Sequence, residues 1–246
     1  MLVMLASVSG APGVSTAAVG LSALWPNRPG LLVEVDPCGG VLAARFSVPQ
    51  EPGLAALAAA ARHGLPAVGP AQFVQALPLG VHAVVGAGAA ETAAGAVSVL
   101  AGQPETLAGL APVVIADAGR LYPGSPAQAM VSRVDALVLV TAGETEHLDH
   151  LDTRLAALRT DARTSQVGVA VVGKCAYEPQ EISGRLGVPV WAHLPTDRWG
   201  AAVLSGRLSG PAWTRTRLAQ ALRGLAATLA TQSQPQQVRA PLEVVR

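Results

Sequence analysis

Residues 1–24 read MLVMLASVSGAPGVSTAAVGLSAL, and the fold follows from how that stretch is punctuated. Residues 2–7 are an apolar run closed by a serine, the pattern of a strand buried on both faces. Residues 8–13 are small and glycine-rich, and a helix is predicted to open at Val14 or Ser15. A strand that turns through glycines into a helix N-terminus makes a phosphate cradle. The first turn of the helix offers unpaired N–H groups and the positive end of the helix dipole. The alternative is a tight strand-to-helix turn with no ligand.

The general phosphate-loop pattern ends in Gly-Lys-Ser/Thr. Here Gly13, Val14 and Ser15 occupy those places, so the glycine and the hydroxyl are present and the lysine is absent. The octet Ser9-Gly10-Ala11-Pro12-Gly13-Val14-Ser15-Thr16 resembles the deviant P-loop of the MinD/ParA family, Lys-Gly-Gly-x-Gly-Lys-Thr-Thr. Matched residue by residue, the family's first (signature) lysine falls on Ser9 and its second glycine on Ala11. Its phosphate lysine falls on Val14 and its magnesium-binding hydroxyl on Ser15. The loop keeps the shape and has lost both cations. Lys174 is the only lysine in the chain, and the arginine and alanine bias matches a GC-rich coding background. Drift from lysine to arginine would have kept the charge at position 14; valine removes it.

Two further segments carry the resemblance. The apolar run 31–35 leads into Glu34-Val35-Asp36-Pro37-Cys38-Gly39-Gly40, similar to the family's Asp-x-Asp-Pro-Gln-Gly. Glu34 takes the first acidic place, Asp36 the second, and Cys38 replaces the glutamine. The resemblance implies that Asp36 orders the attacking water and the magnesium shell. The run 112–116 ends in Asp117-Ala118-Gly119-Arg120, the form of a Walker B strand whose aspartate reaches the magnesium shell. Read without the resemblance, the two are an Asp-Pro turn and a strand-end cap. The segment VPVWAHLPTDRWGAAVLSGRLSG, residues 188–210, looks like the family's ending.

Composition sets the bounds. A chain of 246 residues suits one α/β domain with a sizeable core. Half the residues are hydrophobic and only 3% aromatic, so that core is alanine, valine and leucine. Net charge is +1, which gives no bulk electrostatic case for nucleic acid or an anionic membrane. Cys38 and Cys175 show no metal spacing, consistent with a reduced cytoplasmic protein. The N-terminus lacks the basic flank of a signal peptide, and no run reads as a bilayer span; residues 84–100 come nearest.

Along the chain, strands are predicted at 2–7, 31–35, 81–85, 112–116, 135–140, 167–172 and 188–191. Helices are predicted from 14 and at 53–62, 71–76, 89–100, 125–133, 144–159, 179–186, 198–204 and 212–230. The alternation gives a three-layer α/β sandwich with a mostly parallel sheet, and the resemblance makes it a P-loop NTPase (SIMIBI-type) fold over residues 1–231. Residues 232–246 are expected to be a fraying tail. Ligands in such folds sit at strand carboxyl ends, where Gly13, Asp36 and Asp117 all fall.

The resemblance implies ATP or ADP with Mg2+, held by Gly10, Ala11, Pro12, Gly13, Val14, Ser15 and Thr16, with Ser15, Asp36 and Asp117 around the metal. Arg120 is the cation best placed by sequence to stand in for the lysines, but it reads first as a solvated switch-loop arginine; Lys174 reads as a surface lysine, with a base-edge contact as the alternative. His147 and His150 share a helix face that is read as solvated polar surface, with metal binding as the alternative. The expected role is a nucleotide-responsive positioning or scaffold factor with weak or no hydrolysis. The degenerate site resembles the TadZ/CpaE branch, whose members localise pilus or secretion machinery. Those members usually carry an extra N-terminal receiver-like domain, whereas this chain starts at the loop-bearing strand. Expected partners are a protein machine and a second copy of the chain. DNA, through arginines of the final helix, and a peripheral membrane contact are lesser expectations. The alternatives are an active ParA-like partitioning ATPase and a small-molecule ligase-like relative of the fold.

Overall fold

Alternate residues of the first strand, β1 (Leu2–Ser7), feed two different hydrophobic cores: Leu2, Met4 and Ala6 one, Val3 and Leu5 the other. That is the behaviour of a central strand covered on both faces. The computed structural model describes residues 1–10, 13–63, 70–162 and 166–232, so Ala11, Pro12 and the expected tail after Gln232 lie outside the described residues. The remaining strands are β2 (Leu31–Glu34), β3 (Gln75–Ala76), β4 (His82–Val84), β5 (Val114–Arg120), β6 (Ala136–Ala142), β7 (Gln166–Val172) and β8 (Val190–Leu194). They form one sheet in the order β3-β4-β2-β5-β1-β6-β7-β8. Every described pairing is parallel except the two-residue β3, which runs antiparallel at the edge.

The helices are α1 (Val14–Ala23), α2 (Leu42–Phe46), α3 (Leu54–Arg62), α4 (Ala90–Ala101), α5 (Pro104–Ala108), α6 (Thr145–Asp161), α7 (Pro179–Leu186), α8 (Arg198–Leu204) and α9 (Arg217–Gln232). Leucines and alanines of α3, α4, α6 and α7 pack on one sheet face, and those of α1, α2, α8 and α9 on the other. The three-layer P-loop NTPase fold expected from the sequence is the observed one. Helix α1 lies close against α9 because position 20 has no side chain; a Cβ there would sit 2.5 Å from Leu222 Cδ1.

Local expectations needed correction. Residues 71–76, read as a short helix, form a 3-10 turn (Pro70–Phe73) followed by β3. Residues 125–133 are 3-10 rather than α-helical, at Pro126–Arg133. The last strand was expected at 188–191 and lies at Val190–Leu194. The final helix is split: Pro211–Arg215 is 3-10 and α9 begins at Arg217. Asp117 was placed just past its strand but lies within β5, which continues to Arg120. The short α2 and α5 had no periodicity long enough to show in the sequence.

Candidate functional site

Gly13 is the N-cap of α1 with φ 106°, and Gly10 has φ 37°; both lie in the left-handed region that favours glycine. Among the described residues a Cβ at either would meet nothing within 4 Å, so the glycines serve backbone geometry. No side chain caps α1 and no acid sits in its first turn. The helix therefore points its dipole and first-turn N–H groups into the loop with no built-in anion. Val14 follows the cap with its side chain 5% exposed, packed among the residues of the α1–α9 core. Thr16 lines a cavity described below.

The acids come from neighbouring strands. Parallel pairing puts Glu34 of β2 beside Asp117 of β5, and both are 1% exposed. Burial, then the Glu34 charge, pushes the Asp117 carboxyl up to about 7. The Ser15 hydroxyl and the Gly119 N–H pull back, and Asp36 adds to the rise. Asp117 Oδ1 accepts from Gly119 N at 3.2 Å, whereas Oδ2 is buried with no hydrogen-bond partner. Asp36, half-buried on the loop after β2, lies against Gly119; a Cβ there would fall 1.9 Å from Asp36 Oδ2. Gly119 has φ 55° and sits where the β1–β5 register slips, Leu5 pairing with Asp117 but Ser7 with Arg120. The bulge thus opens the space that admits Asp36. Ser15, Asp36 and Asp117 converge on one locus below the loop.

Asp36 Oδ1 also accepts from Cys38 N at 2.8 Å and so fixes its own turn. Burial outweighs the Cys38 N–H and thiol, which pull the other way, and leaves the Asp36 carboxyl above its ordinary range. Glu34 is different in kind. Its oxygens accept from Val41 N at 2.6 Å, Leu42 N at 3.1 Å and Gly86 N at 2.8 Å. It pins the start of α2 and the end of β4; burial nevertheless keeps its pKa above normal.

Cations stand off from this acidic locus. Arg120 is exposed and donates from Nε to Val8 O at 3.3 Å, at the end of β1. Its charge reaches far enough to oppose the rise in the Cys38 thiol pKa, so it borders the site. Lys174 is exposed, and the cavity beside α1 does not include it. His147 of α6, read from sequence as solvated surface, places Nδ1 3.0 Å from the Ser9 hydroxyl. No sequence spacing pointed to that contact, because it joins the loop after β1 to a helix far along the chain. Among the described residues no three His, Cys, Asp or Glu side chains form a metal cage. Magnesium does not need one: it keeps waters and takes one or two carboxylates plus substrate oxygens. The stranded Asp117 Oδ2 beside Ser15 fits that donor set.

A cavity of about 600 Å3 opens beside α1. Gly13, Thr16 and Ala17 form one wall, and Val172, Leu194 and Pro195 from the ends of β7 and β8 another. Arg45 of α2 and Arg198 and Arg207, at and beyond α8, complete it. Arg45 was not singled out in the sequence, since α2 itself was not seen there.

No protein-family model and no curated protein sequence matches the chain. Solved structures do. The cell-division ATPase MinD of Pyrococcus furiosus superposes with TM-score 0.72 at 20% identity, over 94% of this chain and 98% of that one. A ParA-family ATPase from Chlorobium tepidum gives 0.73 at 17%, over 92% and 97%. The septum site-determining protein MinD of Pyrococcus horikoshii, complexed with Mg-ADP, gives 0.72 at 17%, over 95% and 99%. The fold is therefore that of the MinD/ParA ATPases, over essentially the whole of each chain.

Proposed function

We propose that the protein is a degenerate MinD/ParA-like factor that binds ATP or ADP with Mg2+, hydrolyses it slowly or not at all, and uses the bound state to position a protein partner. One observation carries this reading. The loop keeps left-handed Gly10 and Gly13, an uncapped helix end, and Ser15, Asp36 and Asp117 gathered beneath it, yet Ser9 and Val14 stand where two lysines would supply charge. Phosphoryl transfer needs charge neutralisation on the β- and γ-phosphates as well as a placed water. Backbone N–H groups and the α1 dipole hold the phosphates; Ser15, Asp117 and Asp36 hold the metal. When bound, magnesium supplies part of the missing charge. Each lost charged hydrogen bond weakens ground-state binding by about 10- to 150-fold, and the deficit is larger where charge builds in the transition state.

Binding without fast turnover suits a switch whose output is a partner or a second copy of the chain. The MinD of Aquifex aeolicus was solved in complex with MinC, which makes a protein partner a natural candidate for this chain too. The test is calorimetric titration with ATP and ADP, with and without Mg2+, alongside phosphate-release assays. Magnesium-dependent binding with no release above background is the expected outcome. Turnover at ordinary rates that Asp36→Ala abolishes would refute the degenerate-site reading.

A further inference from the structure

The loop's two missing lysines leave open where a polyphosphate finds its counter-charge. The geometry points to Arg45: its guanidinium is the side-chain cation for a nucleoside di- or triphosphate seated between α1 and the β7–β8 ends, the charge having moved from the loop to α2. This inference rests on the nucleotide reading above and adds the residue that makes it work.

Three observations converge on it. First, Arg45 lines the same cavity as Gly13 and Thr16 in the first turn of α1. At about 600 Å3, that cavity lies within the range that holds small ligands. Second, Arg45 Nη1 is buried and has no hydrogen-bond partner, and Arg45 makes no ion pair with any described residue. A buried, unsatisfied guanidinium N–H is costly and calls for an explanation, of which an ion or water is one. Third, the lining supplies both kinds of chemistry: Val172, Leu194 and Pro195 are apolar, and Arg198 and Arg207 line the cavity along with Arg45.

The fold holds this arrangement in place. Gly206, with φ 74°, lets the loop after α8 close on α2; a Cβ there would lie 2.1 Å from Arg45 O. That approach brings the segment carrying Arg207 against the last turn of α2. Asp197 is the one carboxylate among the lining residues, and its oxygens already accept from Gly200 N at 2.8 Å and Leu218 N at 3.3 Å. Burial pushes its pKa up, but those N–H groups, the Thr216 hydroxyl and the Trp199 N–H outweigh that and leave it below the ordinary range. It caps α8 and tethers α9, and among the described residues it makes no ion pair with the arginines. A guanidinium stays charged at any working pH and can grip two phosphate oxygens at once, which suits this task better than a lysine of adjustable pKa.

The experiment titrates the full chain with ADP, inorganic pyrophosphate and adenosine in Mg2+, for wild type, Arg45→Ala, Arg45→Gln and Arg45→Lys, with Arg133→Ala as a remote control. Circular dichroism and thermal melts check that each variant is folded; Arg45→Gln keeps the length of the side chain should Arg45→Ala not fold. Neutral replacements at 45 are expected to weaken ADP and pyrophosphate about 10- to 100-fold, leave adenosine unchanged, and be partly rescued by lysine. Wild-type ADP binding that Arg45→Gln leaves untouched overturns the assignment while the nucleotide reading stands. Equal losses for ADP and adenosine overturn it too, by showing a packing role. A wild type that binds none of the three overturns both.

Discussion

Replacing Asp117 by asparagine should stabilise the nucleotide-free protein, and increasingly so as pH rises. The aspartate is 1% exposed, sits beside buried Glu34, and has one oxygen with no partner. Its folded-state pKa is pushed up to about 7 from 3.8. A carboxyl whose pKa is raised by folding contributes most below its unfolded value, where both states are protonated. The contribution is then lost as pH climbs from 3.8 to about 7. By pH 8 the loss amounts to about 4 kcal/mol, and about 2–3 kcal/mol of it accrues above pH 5. Asparagine keeps an oxygen for Gly119 N and carries no charge. Urea unfolding of both proteins at pH 5 and pH 8, without nucleotide or metal, measures the effect. The stability difference in favour of Asp117→Asn should widen by about 2–3 kcal/mol between the two pH values. Taking that double difference removes the titration of every other group to first order. A difference that is the same at both pH values, or that narrows, would refute the claim that Asp117 is a strained acid in the empty site.

Three further outcomes follow from the same geometry. Gly119→Ala forces a Cβ toward Asp36 Oδ2 at a residue with φ 55°, so it should cost about 1–3 kcal/mol in denaturant melts and displace Asp36; loss of the magnesium-dependent share of ADP affinity is the companion readout. Glu34→Ala strips the acceptor from Val41, Leu42 and Gly86 N–H groups and should destabilise by about 2–4 kcal/mol, with Glu34→Gln recovering part of it in the same urea assay. Val14→Lys restores a loop cation and should tighten ADP binding at least about tenfold by calorimetry, at some cost in stability because position 14 is 5% exposed; unchanged affinity would count against the phosphate-cradle reading.

The sequence carried the parallel α/β sandwich because β1, β2, β5, β6 and β7 are short apolar runs spaced by helical segments, a pattern set by burial on both faces. Ser15, Asp36 and Asp117 stood out in it because each belongs to a motif tied to a strand at a fixed offset, although Asp117 lies inside β5 rather than past its end. Arg45 and His147 were invisible for a physical reason. One sits on a five-residue helix without readable periodicity, and the other meets Ser9 across a contact of large sequence separation. The reversal of Ala71–Ala76 from helix to turn and edge strand has a similar cause. That strand pairs antiparallel with only two residues of β4, and tertiary contact rather than local preference selects it. Gly119 was legible as a glycine, but its use, a left-handed bulge that makes room for Asp36, depends on a register slip between two strands.

Burial and neighbouring acids together account for the raised Asp117. Glu34, Asp36 and Asp117 come together near the N-terminus of α1, whose dipole is worth about half a positive charge, with Arg120 at the border. Three carboxyls against that half charge cannot all ionise cheaply in a buried setting, so the most enclosed of them holds its proton to near neutrality. The positive side chains have been placed elsewhere: Arg120 on the Val8 carbonyl, and Arg45, Arg198 and Arg207 around the neighbouring cavity. On the reading proposed here, the two charge sets are complementary to the two halves of one ligand. The acids call for a divalent cation and the arginines for phosphates, so neither alone should bind as well as the pair. Magnesium and ADP should therefore show positive coupling, each raising the affinity for the other by the same factor, as linkage requires. The coupling should shrink at pH 6, where Asp117 is protonated and the metal must displace a proton to bind.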